Sequence, residues 1–401
     1  MTRSFKIGVL FCAVIVTFGN MLAAPAVKLL QADFPHVSGL LLQWVVTLSS
    51  LFILPTLFLA GYLSKRISKK SILILGLVIY LIGGIGPAFM NSITWILVFR
   101  AILGLGIGFV APTYNAVIAE NTQGTERSHM NGLVTAVNGI GGAIFLSVGG
   151  FIAAYGWRSV FLCYAYALVI LLMVIFLIPK NKTLPLQKPT EPAAGSGTAA
   201  PLPRSFYGLV LGSGLHVMLF YVLPTTLSLY LAETHLGGTS TVGILMALSL
   251  LSVFAAGLSV TGLTHRMPNA VVPLALALYA AGFLMESMAT NLVVAALSIL
   301  MIGFAQGLLF PVSLNKTAES VPKERITTAF SVLLASLYLF QFLAPLFVHG
   351  VQSLLHLSTY RETYLFLAAA AGLSFFVALA LKVRSKTGNK LHPQNNEVKG
   401  S

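Results

Sequence analysis

Asn20, Arg100, Asn138, His216, Gln306 and Gln341 are polar residues set inside long apolar runs, and that company decides what chemistry is open to them. A polar group in apolar surroundings needs a partner or a water-lined cavity. Asparagine and glutamine carry both donors and acceptors, so they can bind an uncharged solute. They can equally tie two helices together, at about 0.6 kcal/mol apiece. His216 can do more, because an imidazole exchanges protons near neutral pH. It can load a proton from one side of an apolar layer and release it to the other, or stay neutral as a hydrogen-bonding group. Arg100 brings a permanent charge that can couple a proton to a solute, or else snorkel outward. Glu286 has the chemistry of a proton carrier but lies near the end of its apolar run, where an interfacial structural role is expected.

The elements that position these residues follow from composition. Of 401 residues, 57% are hydrophobic and only 8% are Asp, Glu, Lys or Arg, more apolar surface than a soluble core could hide. A membrane span takes about 20 apolar residues. Breaking the apolar runs at polar, glycine and proline positions predicts twelve spans, at 7–30, 41–63, 71–90, 93–118, 129–153, 157–179, 206–231, 240–263, 270–288, 292–315, 327–353 and 363–381. The first run is too long for the core of a signal peptide and is read as a span. The expected fold is therefore all-α and integral to the membrane. Residues 1–179 form one six-helix bundle and 206–401 another with a short tail, joined by a Pro-, Ala-, Gly- and Ser-rich linker at 180–205. Counting about 1.5 Å per residue, His216 lies about 15 Å into the seventh span and Arg100 about 7.5 Å past the interfacial Trp95.

The formal net charge of +14 would suggest nucleic acid in a soluble protein. Here the basic residues obey the positive-inside rule. Of 24, only Lys28, Arg158 and Arg361 fall opposite the N-terminus, with Arg100 inside a span. This predicts a multi-pass protein of the cytoplasmic membrane with both termini inside, contacting the lipid bilayer and no nucleic acid. The two cysteines, Cys12 and Cys163, sit in apolar runs as small hydrophobes, and no metal cluster is spelled out. Glycines at 104, 106, 108, 139, 141, 142, 149 and 150 lie within apolar helices without the strand and Lys-Ser/Thr of a phosphate loop, so close helix packing is expected of them. Neither a metalloprotease nor a hydrolase signature occurs, and the chain is not expected to be an enzyme.

The halves echo each other. Gly104, Gly108, Pro112, Ala119-Glu120 and Glu126-Arg127 recur as Gly303, Gly307, Pro311, Ala318-Glu319 and Glu324-Arg325. Repeats on this scale mark transporters whose substrate site lies between the halves.

These features resemble the major facilitator superfamily, over nearly the whole chain. The loop after the second span resembles the family's first signature in Gly61, Arg66, Lys69 and Lys70, with Lys65 where the family places an acid and Ser68 where it places a glycine. Arg100 with Gly104, Gly106 and Gly108 is similar to the second signature, and Gly149-Gly150 with Gly156 to the end of the antiporter signature, as in bacterial drug and metabolite exporters. The resemblance implies that spans 3, 6, 9 and 12 are peripheral and the others line a central cavity. It also implies a loop latch that holds one state, built differently here because of Lys65. The expectation is a monomeric secondary transporter needing no cofactor, driven by a proton gradient and exporting a small neutral, zwitterionic or anionic compound. His216, Arg100, Asn20, Asn138, Gln306 and Gln341 would form the substrate and proton pathway. Gly61, Arg66, Gly104, Gly108, Gly149 and Gly150 would serve gating and packing. Uptake by symport or uniport is the alternative, and a membrane sensor or intramembrane enzyme is the alternative of another class.

Overall fold

A computed structural model of the chain describes residues 3–64, 66–178, 202–267, 270–322 and 325–391. Lys65, Lys323, Glu324 and most of the expected linker lie outside them. Among the described residues all regular structure is helical, as hydrocarbon requires of a chain that must satisfy its own backbone. In the first half the helices are α1 (Arg3–Met21), α2 (Val27–Asp33), α3 (Gly39–Leu63), α4 (Lys69–Ile85), α5 (Ile93–Asn121), α6 (Gly124–Ala136), α7 (Gly142–Ala153), α8 (Trp157–Leu162) and α9 (Tyr166–Leu177). The second half has α10 (Arg204–Glu233), α11 (Thr239–Arg266), α12 (Val271–Ser287), α13 (Leu292–Glu319), α14 (Ile326–Leu354) and α15 (Tyr360–Leu391).

Among the described residues, ten stretches are long and apolar enough to cross a membrane. The pair Phe5–Val16 and Gly19–Asp33, bent by 40°, makes an eleventh span, and the 17-residue α12 brings the count to twelve. Three spans are less regular than the sequence suggests. The first is interrupted by a turn at Ala24–Ala26 holding Pro25, the fifth passes through a π-helical turn at Val137–Gly141 between α6 and α7, and the sixth tightens at Cys163–Ala165 between α8 and α9. Pro55, Pro112, Pro224, Pro311 and Pro345 lie inside α3, α5, α10, α13 and α14 without ending them.

Glycine contacts build each half. A Cβ on Gly104 would stand 2.2 Å from the Ser49 carbonyl oxygen, and one on Gly108 would stand 2.6 Å from that of Ile53, so α5 meets α3 backbone to backbone. The second half repeats the joint, with Gly303 against the Ser249 carbonyl at 2.5 Å and Gly307 against that of Val253 at 2.3 Å. The repeat seen in sequence is thus a repeated seam.

The halves meet at one end. There the Lys28 amide donates to Ser228 Oγ (3.3 Å) and Gln43 Nε2 to the Tyr360 hydroxyl (3.3 Å), while Gly150 of α7 lies against the backbone of Gly243 of α11. Toward the membrane interior Trp44 stacks on Phe342 at 5.5 Å. At the end that carries the N-terminus, a Cβ added at Gly61, Gly132, Gly257 or Gly262 would meet nothing within 4 Å, so space is open around all four. The molecule is closed at the face of Lys28 and Tyr360 and open at the N-terminal face.

Candidate functional site

Two polar clusters lie within the bundles. In the first half, Arg100 of α5 is fully buried, so it does not snorkel. Its Nε donates to the Val45 carbonyl (2.6 Å), Nη1 to the Tyr164 hydroxyl (2.8 Å), and Nη2 to the carbonyls of Gly19 (3.0 Å) and Asn20 (3.3 Å). The Tyr164 hydroxyl itself donates to the Gly19 carbonyl at 2.7 Å. Gly19 and Asn20 belong to the last turn of α1, whose carbonyls have no partner further along the helix. Arg100 therefore caps α1 from another helix, with its charge at the negative end of the dipole. All its partners are neutral, and among the described residues no carboxylate lies within 4 Å of it. Asn20 sits beside it, accepting from Ser49 Oγ (2.6 Å) and donating to Ser50 Oγ (3.1 Å).

In the second half, His216 of α10 is buried between two residues of α13. Nδ1 pairs with Gln306 Oε1 at 3.0 Å and Nε2 with Ser313 Oγ at 3.3 Å. Tyr279 of α12 donates to Gln306 Oε1 at 2.9 Å and approaches the His216 carbonyl at 3.3 Å. With the amide oxygen toward the ring, Nδ1–H donates and Nε2 accepts from the serine. A second proton on Nε2 needs only that the Ser313 hydroxyl turn, so the ring can gain and lose a proton without stranding a partner.

The pathway residues expected from sequence thus fall into two pairs, Arg100 with Asn20 and His216 with Gln306. Asn138 and Gln341 stand apart. Asn138 Oδ1 and Gln341 Nε2 are buried without a hydrogen-bond partner among the described residues. Asn138 lies in the π-helical turn, a distortion frequent at functional sites, next to Gly139, which touches Phe254 across the two halves. Of the expected gating residues, Gly104 and Gly108 are packing glycines, Gly149 abuts Leu22 within its own half, and Gly150 alone forms part of the closed end. Gly61 is in open space, and Arg66 lies over the Tyr62 ring at 4.8 Å. At the N-terminal face Lys69 pairs with Glu120 (2.5 Å) and Lys6 with Glu126 (2.8 Å), both within the first half. The Lys6 ammonium holds the Glu126 carboxyl below the usual carboxylate range through its hydrogen bond and its charge.

Sequence reasoning missed Tyr164, Tyr279 and Ser313. Tyr279 was hidden by its place on a span expected to be peripheral, though a tyrosine deep in an apolar run was a signal that could have been used. Glu286 lies near the end of its span, as the sequence suggests, and its side chain is fully buried there.

The model of the Major Facilitator Superfamily matches residues 9–345 and 209–399. The chain belongs to that superfamily. Among curated superfamily relatives, the uncharacterized transporter YceJ of Bacillus subtilis (strain 168) is 29% identical over 203 residues, 49% of this chain and 50% of YceJ. The arabinose-proton symporter of Escherichia coli (strain K12) is 31% identical over 35% of this chain and 30% of its own. These matches thus span about half or less of the relatives' length. Crystal structures of a D-xylose-proton symporter (TM-score 0.73, 16% identity, 93% of this chain and 96% of that one) and of the peptide transporter POT with sulfate (TM-score 0.75, 14% identity, 95% and 94%) share the fold. As a superfamily member the chain is a multi-pass membrane protein.

Proposed function

We propose that this transporter couples the export of a small neutral, zwitterionic or anionic organic compound to proton entry, and that it works as a monomer by rocking the two halves about a site between them. The observation that carries this reading is where the charges lie. Every Asp and Glu among the described residues sits in the first or last turn of its helix, whereas the deep ionisable groups are Arg100 and His216. A carrier of lipophilic cations needs a carboxylate at depth. Bundles whose deep ionisable groups are a guanidinium and a protonatable imidazole suit the opposite charge or none. His216 takes the proton, Gln306, Tyr279 and Ser313 hold its ring, and Arg100 fixes the first span from which Asn20 and its neighbours act. Asn138 and Gln341, with unpaired polar atoms, are the groups left for substrate. Both termini lie in the cytoplasm, so the open face is the inner one, and the proton gradient is the energy source.

The test takes compounds that cells lacking the protein retain and loads them into proteoliposomes containing a pH-sensitive dye. Substrate export should consume an imposed proton gradient in wild type, and His216→Ala should abolish the coupling. Full proton-coupled flux in His216→Ala would remove the histidine from the pathway, and strong ethidium export would overturn the charge preference. Uptake by symport is the second reading, favoured by the arabinose-proton symporter among the relatives. Reversing the gradient separates the two, because symport accumulates substrate down an inward proton gradient.

A further inference from the structure

Glu286 is the buried ionisable group that this mechanism leaves unused. It is the penultimate residue of α12, close to the closed face, with no solvent exposure. Its Oε2 contacts Ser298 Oγ of α13, and its Oε1 has no partner among the described residues. No cation lies within 4 Å of the carboxyl among those residues. The ionisable groups around it are Tyr230 and Glu233 from α10 and Tyr364 and Arg361 from α15, while α13 contributes the serine. Arg361 directs its guanidinium to the Ala289 carbonyl at 2.8 Å. Tyr364 directs its hydroxyl toward Thr226 Oγ1 at 2.9 Å.

The hydrogen bonds and the surroundings favour the neutral form of the carboxyl. Ser298 Oγ has one hydrogen, and it lies 2.8 Å from the Ala295 carbonyl as well as next to Glu286 Oε2. A neutral acid completes the chain, with Oε2–H donating to Ser298 Oγ and Ser298 Oγ–H to the Ala295 carbonyl. An ionised carboxyl would leave one charged oxygen buried without a hydrogen bond and with no cation within 4 Å among the described residues, beside the ring cluster of Phe283, Tyr230 and Tyr364. The helix that shields it also closes the molecule. Tyr230 of α10 donates its hydroxyl to the Glu286 backbone carbonyl at 2.5 Å, and Ser228, two residues earlier, accepts from the Lys28 amide of the other half.

We propose that Glu286 is a proton-binding site of the closed face, holding its proton as a neutral carboxylic acid while α10 is docked against the first half. When the face opens and the end of α10 beyond Pro224 swings away from α12 as well as from the first half, water reaches the carboxyl, the proton passes to that water and the carboxylate is solvated. By mass action, acid at this face favours closure. The site exchanges protons with that face alone, which sets it apart from a carrier such as His216, and it holds whichever way substrate moves.

The experiment needs no substrate, so its outcome is independent of the export reading. Full-length protein in liposomes is taken from acid to alkaline pH while the infrared carbonyl stretch of protonated carboxyl groups is followed. In parallel, spin labels at Tyr155→Cys and Leu354→Cys, exposed residues at the closed face on opposite halves, report the gap there, with Cys12 and Cys163 replaced by Ala. Wild type should lose one carboxylic acid band as the gap lengthens with rising pH. Glu286→Gln, which mimics the neutral acid, should lack that band and stay closed at every pH. Ser298→Ala, which keeps the acid but removes its acceptor, should shift the band without erasing it, so the assignment survives a misfolded Gln variant. A Glu286→Gln protein that opens with pH as wild type does overturns the proposal, as does a wild-type spectrum from which neither substitution removes or shifts a band.

Discussion

Arg100 shows how a charge is kept inside an apolar bundle without a countercharge. Its five donors meet three backbone carbonyls and a tyrosine hydroxyl, all fixed in place by helices α1, α3 and α8–α9. Such a fork cannot be replaced by a point charge. Arg100→Lys should leave at least one buried acceptor unmet, and Tyr164→Phe should deprive both the guanidinium and the Gly19 carbonyl of a partner. Each is expected to lower the midpoint of SDS-induced unfolding in mixed micelles by an amount equivalent to roughly 1–3 kcal/mol. Tyr80→Phe, which loses only the contact with the Tyr166 hydroxyl (2.6 Å), should cost less. Equal losses in all three would show that the cap on α1 is no more than an ordinary tyrosine pair. Residue types and approximate depth were legible for Arg100 and His216, because an ionisable group stands out in an apolar run. Their partners were not, since nothing in one sequence says which backbone carbonyls the end of α1 leaves free.

Helices in this chain are joined by two kinds of glycine that look alike in sequence. Gly104, Gly108, Gly303 and Gly307 hold helices of one half together, whereas Gly150 and Gly243 touch across the two halves at the closed face. The distinction yields opposite expectations for one substitution. Gly104→Val places a side chain on the Ser49 carbonyl and should impair folding itself, seen as loss of monodisperse protein on purification. Gly150→Val meets the backbone of Gly243 across the halves, an obstacle that disappears when they part. The protein should then fold but stay open at the face that is normally shut. A cysteine at Ser228, buried in the closed state, reads this out. Its reaction with a membrane-impermeant maleimide should rise severalfold in Gly150→Val, and an unchanged rate would mean that Gly150 is a packing glycine like the others. The spans themselves were legible to within a few residues because apolar length dictates them. The breaks at Ala24–Ala26 and Val137–Gly141 were not, because such distortions depend on what neighbouring helices offer the freed backbone.

At the scale of the whole molecule, two ion pairs of the N-terminal face, Lys6 with Glu126 and Lys69 with Glu120, lie inside the first half. The two-bundle plan was readable from the glycine repeat and the basic-residue bias, both of which are properties of sequence position. Which end is shut was not readable, because it rests on contacts between residues far apart in sequence, such as Gly150 with Gly243, that no periodicity or composition marks. That choice makes a prediction about accessibility. Gly132 and Gly257 flank the open mouth from opposite halves, and a Cβ at either meets nothing within 4 Å, so cysteine is tolerated there. Gly132→Cys and Gly257→Cys should react quickly with an impermeant maleimide applied to the N-terminal face, while Ser228→Cys should stay unreactive from both faces as long as the Lys28 contact holds. If the basic residues orient the chain by the positive-inside rule, the two mouth cysteines react in inside-out vesicles and not in right-side-out ones. Labelling in right-side-out vesicles instead would invert the orientation and turn the open mouth outward. Slow labelling in both preparations, with Ser228→Cys reactive, would mean that the resting protein in a membrane is closed at the N-terminal face and open at the other.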